Sequence, residues 1–235
     1  MGSREIQRQK VLAAAARFIA QHGYHGMTMR GLAKATGRSL ASAYNYFSSK
    51  EEILFTLQKE AFQNLISTTE HSLDRVESAN EQLGIVILNH LTYFDQHTDA
   101  MRVLVHEAGS LPAKQRGQIR DLKTRYFDLA CQVTSRVINQ GCGQLGSTGK
   151  PPKDIEVERL TYCLFGMLNW SYGWYQPERH GDLPELARTV HRLFLCGAVT
   201  RCPEQDLNTH IDISRATPTL PPLLGSAHNA RELER

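Results

Sequence analysis

The chain has 235 residues, 41% of them hydrophobic and 22% charged, with a formal net charge of +3, which is ordinary composition for a folded domain with a sizeable core. No apolar run approaches the ~20 residues that a membrane span requires, and the alanines at 13–16 are broken by Arg17 before they make a signal-peptide core, so a cytoplasmic protein that does not enter membranes is expected. The small total hides a strong polarity: residues 1–50 carry eight Lys or Arg against Glu5 alone, a net of +7, whereas residues 51–110 carry three against ten acids, a net of −7. A one-sign field at one end supplies the sequence-independent phosphate attraction of a nucleic-acid-binding protein.

In chain order, residues 4–22 read as a first helix with Val11, Ala14, Ala15, Phe18 and Ile19 as its apolar stripe and Gly23 as its stop. Tyr24 and Met27 then close over a small core. Thr28 is placed to cap a second helix, 29–36, whose inward pair is Leu32 and Ala33, and Gly37 supplies the turn. Ser39 caps a third helix, 40–47, in which Ala43 and Phe47, four apart, pack inward. That leaves Leu40, Ala41, Ser42, Tyr44, Asn45 and Tyr46 on outer or flanking faces. Two tyrosines and a leucine facing water have a reason if the face meets a duplex, where hydroxyls reach phosphates and apolar groups touch thymine methyls. Any all-α hairpin has the same spacing, but only a DNA-reading unit accounts for the missing acids. Arg30, Arg38 and Lys50 belong to the surrounding cationic set.

The runs VLAAAARFIAQHGYHGMTM, RGLAKATG and RSLASAYNYFSSKEEIL, within residues 8–57, resemble the DNA-binding domain of the TetR/AcrR family of bacterial transcriptional regulators. The resemblance implies that Thr28 caps its helix and touches phosphate, that Ser39 to Asn45 face the groove, and that Tyr44, Tyr46 and Lys50 contact the DNA backbone. Leu40 and Ala41 stand where the family often has a polar or basic residue and a glycine, and Arg38 where a small aliphatic is usual; these departures bear on base preference.

From Ser49 the run SSKEE caps a long helix, 50–73, which joins the reading head to the rest and is the natural lever. Further helices are expected at 80–97, 100–110, 113–140, 154–175 and 183–201, with a loop, GCGQLGSTGKPPKD, before 154. No segment alternates as a strand does, so the fold class is all-α: a helix-turn-helix domain over 1–49, a ligand-binding and dimerisation domain over 50–201, and a proline-rich, flexible tail over 202–235. Five cysteines without a C-x-x-C pair indicate neither a disulfide framework nor a metal site, and most are expected to be buried thiols. No phosphate-binding loop, zinc-binding motif or nucleophile elbow is present, so no catalytic residue, metal or cofactor is assigned and an enzyme is not expected.

The segment 155–175 is apolar nearly all round in its second half, and Leu186, Val190, Leu193 and Phe194 supply a second stripe. The family resemblance implies that these last two helices form a homodimer. Tyr126, Phe165, Asn169, Trp170 and Trp174 are expected to surround an apolar small-molecule effector, with Arg116, Arg120 and Arg125 near the mouth. The runs FGMLNWSYGWYQPE and GDLPELARTVHRLFLCGA resemble TetR-type regulators of fatty-acid and steroid breakdown, which respond to acyl-CoA thioesters. The implied function is a repressor released from a palindromic double-stranded DNA operator by an acyl-CoA of lipid metabolism. A regulator of efflux or stress genes that answers to a planar aromatic or drug-like effector is the alternative.

Overall fold

The computed structural model describes residues 2–107, 109–144 and 154–199. These residues form helices and turns, with no strand among them. Helix α1 (Ser3–Gly26) breaks at Gly23 as expected, where a φ of 73° and ψ of 159° suit only glycine, and one further turn follows the break. Its buried face is Val11, Leu12, Ala15, Ala16 and Ile19, with Tyr24 beyond the kink, so Ala14 and Phe18 lie at the edge of the stripe rather than at its centre.

Helix α2 (Met29–Ala35) is capped as expected, the Thr28 hydroxyl accepting from the Gly31 amide at 3.0 Å. Gly37 turns the chain with a φ of 65°. Helix α3 (Leu40–Tyr44) begins where Ser39 accepts from the Ser42 amide at 3.1 Å, but it ends three residues before the expected 47. The amides of Tyr46 and Phe47 both turn back to the Ala43 carbonyl, which lets the Phe47 ring drop into the core, where it is 1% exposed. Burying that ring stabilises the head more than another helical turn would.

Helix α4 (Lys50–Leu73) starts with a reciprocal cap: Ser49 accepts from the Glu52 amide at 3.1 Å, and the Glu52 carboxylate accepts from the Ser48 amide and hydroxyl, each at 2.6 Å. Its two halves serve different cores. Ile53, Leu54 and Leu57 pack with α1 to α3, while Leu65 and Ile66 pack in a second core with α5 (Ala79–Gln96), α7 (Ala113–Gln144), α8 (Asp154–Trp170) and α10 (Leu183–Val199). Helix α6 (Thr98–His106) is shorter than expected, and its Val103, with Leu111 and Ile119 further on, belongs to the core of the head.

The expected single helix over 154–175 is broken. After Trp170 the chain tightens into a 3-10 turn (Ser171–Gly173), because the Ser171 hydroxyl donates to the Leu168 carbonyl at 2.7 Å and its carbonyl takes the Trp174 and Tyr175 amides. A short helix α9 (Pro177–His180), which the sequence reading lacked, follows with proline in its first turn. Asp182 and Glu185 then form a reciprocal cap for α10, at 2.7 and 3.1 Å. Helix α7 runs to Gln144, past the expected 140; most of the expected loop and the whole tail over 202–235 lie outside the described residues. The expectation of buried thiols is corrected for Cys163 and Cys196, which are exposed on the outer faces of α8 and α10. No helix among the described residues is long and apolar enough to cross a membrane.

Candidate DNA-reading face and effector cavity

The α3 face is open to solvent as the sequence predicts. Leu40 is 37% and Tyr44 49% exposed, and Ala41, Asn45, Thr28, Arg30 and Ser39 are exposed with them, while Ser42 is half-buried. Thr28 and Ser39 have their hydroxyls engaged as caps of α2 and α3. The other three residues of the expected interface are tied into the protein. The Arg38 guanidinium lies 5.3 Å from the centroid of the Tyr46 ring and donates to the Gln7 side-chain oxygen, and the Lys50 ammonium sits 4.6 Å from the centroid of Tyr24. Arg38, Tyr46 and Lys50 are each half-buried and held in fixed positions beside the open face. The pairing of Arg38 with Gln7 of α1 is invisible to a motif comparison because the two residues are remote in sequence.

In the second core, a chamber of about 390 Å³ is bounded by α4, α5, α6, α7 and α8. Tyr126, Phe165 and Asn169 line it, as expected. Trp170 and Trp174 do not: α8 ends at Trp170, and both indoles lie outside, 65% and 42% exposed. The wall is completed by residues the sequence reading passed over, among them Phe62, His90, Phe94, Met101 and Lys123. Hydropathy periodicity places Phe62, Phe94 and Met101 on inward helix faces but does not tell a cavity wall from solid core. His90 is the unexpected member, since a histidine buried in an aromatic wall has no local sequence signature. Its Nδ1 is 3.1 Å from the Tyr126 hydroxyl, and burial pushes its pKa down to about 3, with Asn169 opposing the shift. Burial likewise pushes the Tyr126 phenol up.

The chamber shares Lys123, Phe127 and Tyr162 with a groove of about 640 Å³ between α7 and α8, and Arg120 lines that groove. Lys123 therefore lines both spaces and Arg120 the groove alone, where Asp128, Asp154 and Glu158 stand with it. Arg116 is exposed and donates to the Gly109 carbonyl at 3.4 Å, and Arg125 is paired with Glu70 at 2.8 Å, so neither lines the groove.

Helix α6 links chamber and head. Met101, Leu104 and Val105 line the chamber, Val103 packs in the head core, and the Glu107 carboxylate just beyond the helix accepts the Tyr24 amide at 2.9 Å. Although burial works against it, hydrogen bonds from Ser110 and the Tyr24 amide, with His25 and His106 nearby, hold the Glu107 carboxyl below its usual range. Gln58 of α4 donates to the Glu107 carbonyl at 3.1 Å. Both α4 and α6 thus reach from the chamber to the head.

A helix-turn-helix head on a helical domain with an internal chamber defines a ligand-responsive DNA-binding protein. The profile described as "Bacterial regulatory proteins, tetR family" matches residues 11–57, and that described as "Tetracyclin repressor-like, C-terminal domain" matches residues 76–198. The chain belongs to the TetR family of transcriptional regulators, proteins that bind DNA and respond to ligands and are not enzymes. It is 23% identical over 198 residues to the fatty acid metabolism regulator protein of Bacillus subtilis (strain 168), covering 84% of this chain and 98% of that one. The crystal structure of the TetR family regulator PfmR from Thermus thermophilus superposes with a TM-score of 0.66 at 26% identity, over 79% of this chain and 97% of that one. The fold is also that of AibR, solved in complex with isovaleryl coenzyme A and operator DNA, with a TM-score of 0.64 at 19% identity over 82% and 97% of the two chains.

Proposed function

We propose that the protein is a homodimeric cytoplasmic repressor that occupies a palindromic operator and leaves it when an acyl-CoA enters the helical domain. The observation that carries this reading is the aromatic chamber with Lys123 in its wall and Arg120 beside it, an apolar site for an acyl group next to two cations for the nucleotide phosphates, on a groove that also holds Asp128, Asp154 and Glu158. A TetR-type relative named for fatty acid metabolism and a like-folded structure holding an acyl-CoA support it. The chamber, about 390 Å³, is at the small end of ligand sites, which span about 300–1,000 Å³; a ring-bearing or short acyl group fits within it.

The expected dimer surface gains support from α8 and α10, where Ile155, Tyr162, Met167, Trp170 and Leu193 are large, apolar and exposed. The expected DNA contacts are Thr28, Arg30, Leu40, Ala41, Ser42, Tyr44 and Asn45 for the open face, with Arg38, Ser39, Tyr46 and Lys50 supporting it. Release of DNA requires the ligand to prefer the form with separated heads, and a hundredfold loss of affinity needs about 2.7 kcal/mol of coupling. The lever is α4 together with α6, since a ligand that displaces Met101 or Leu104 also moves Val103 and Glu107 against α1.

The aromatic alternative is favoured by one observation, the ring pair of Phe127 and Tyr162 at 4.4 Å, against which a planar ligand can stack. Titration of the operator complex with palmitoyl-CoA, free palmitate, CoA alone and a steroid-CoA thioester separates the two readings. The acyl-CoA reading expects release by at least one thioester and none by CoA. Release by no thioester, or equal release by CoA, contradicts it and leaves the aromatic effector.

A further inference from the structure

We propose that the effector carries a hydroxyl or carbonyl oxygen on the part buried in the aromatic chamber, and that His90, with Asn169 beside it, selects for that oxygen. The inference rests on the chamber being the effector site.

Among the described residues four buried side-chain atoms find no hydrogen-bond partner, namely Thr69 Oγ1, His90 Nε2, Gln115 Oε1 and Thr134 Oγ1. Of these residues only His90 lines the chamber. An imidazole nitrogen is an obligatory donor or acceptor, and leaving it unmatched in an apolar wall is unfavourable. The ring has no freedom to find another partner. It stacks on Phe94 at 4.2 Å between centroids, lies nearly parallel to Tyr126 at 5.9 Å, and meets Phe165 edge-on at 5.4 Å, while Nδ1 is engaged with the Tyr126 hydroxyl. Asn169 lines the same chamber, and its side chain interacts with the ring closely enough to favour the protonated form, although no hydrogen bond of full geometry reaches Nε2.

The charge state narrows the chemistry. With its pKa pushed down to about 3 by burial, the imidazole is neutral near pH 7 and offers no positive charge to a carboxylate or phosphate. The matching group is therefore uncharged. A carbonyl accepts from Nε2 if the proton resides there; a hydroxyl serves either tautomer, donating or accepting, and the Asn169 amide can complete its second bond. Such a site discriminates strongly, because an analogue without the oxygen leaves the buried nitrogen unmatched.

The test is calorimetric titration of the full-length protein with two matched pairs: cyclohexanecarboxyl-CoA against 4-hydroxycyclohexanecarboxyl-CoA, and naphthalene against 2-naphthol. In whichever pair binds, the oxygenated member is expected to bind roughly ten- to a hundredfold more tightly, and His90→Phe is expected to level the pair. Equal affinities in the unaltered protein, or a preference that survives in His90→Phe, overturn the inference while leaving the chamber as the effector site. Binding of neither pair overturns both. The comparison of ligands on the unaltered protein stands even if the variant does not fold.

Discussion

Phe47 and Tyr44, three residues apart, face opposite ways, one into the core of the head and the other toward solvent on the proposed DNA-reading face. The Phe47 ring is buried among α1, α3 and α4, so Phe47→Ala should cost about 3–5 kcal/mol of stability. Tyr44 is 49% exposed, so Tyr44→Ala should change stability by no more than about 0.5 kcal/mol while weakening binding to every duplex, as loss of a backbone contact does. Chemical denaturation and fluorescence anisotropy on both variants check this; destabilisation by Tyr44→Ala would mean that its ring packs rather than reads. His90 makes a pH-dependent contribution of definite sign. Its folded pKa lies near 3 against an ordinary 6.5, so between those values the unfolded chain binds the extra proton and stability falls as pH falls. Near pH 5 to 6 the loss approaches ~1.4 kcal/mol per unit, and His90→Gln should flatten the slope in that interval. An unchanged slope would show that His90 is not the group responsible.

At the scale of elements, the junction of α6 with α1 is where the switch is most exposed to test. Glu107→Ala removes the acceptor of the Tyr24 amide beside the Gly23 kink. We expect a stability loss of about 1–3 kcal/mol, near-normal DNA affinity without ligand, and a reduced drop in affinity when a releasing thioester is added. Full coupling in that variant would assign the signal to α4 alone. The caps at Thr28, Ser39 and Ser49 show what is legible in the sequence: capping and hydropathy period are local, and they locate helices α2, α4, α5 and α10 to within a residue or two. What escaped was set by packing and side-chain bonds that hydropathy period does not encode. Helix α3 stops early because Phe47 answers to Ile53 and Leu54, and α8 stops early because Ser171 and Tyr175 bond into the turn that leads to α9. The same break puts Trp170 and Trp174 outside the chamber, since aromatic content points them inward only along an unbroken helix and α8 ends at Trp170. His90 and Lys123 were passed over because neither the chamber nor its mouth has a signature within one helix.

At the scale of the whole molecule, the polarised charge and the exposed apolar residues on α8 and α10 are the two surfaces on which the proposed DNA binding and the proposed dimer rest. A single short α3 reads too few bases to define a site, whereas two heads about 34 Å apart, or a small multiple, read two half-sites. Trp170→Glu combined with Leu193→Glu places charge in the proposed dimer surface without touching a buried side chain. Sedimentation should then show a folded monomer with DNA affinity reduced by orders of magnitude, and a variant that remained dimeric would move the interface elsewhere. The central claim, that a symmetric pair of α3 helices reads the duplex, is tested most directly by selecting bound duplexes from a random library with the unaltered protein and sequencing them. The account predicts an enriched inverted repeat whose half-sites change when Leu40, Ser42 or Asn45 is substituted. Enrichment of a lone, unrepeated site, or of no site at all, would contradict it.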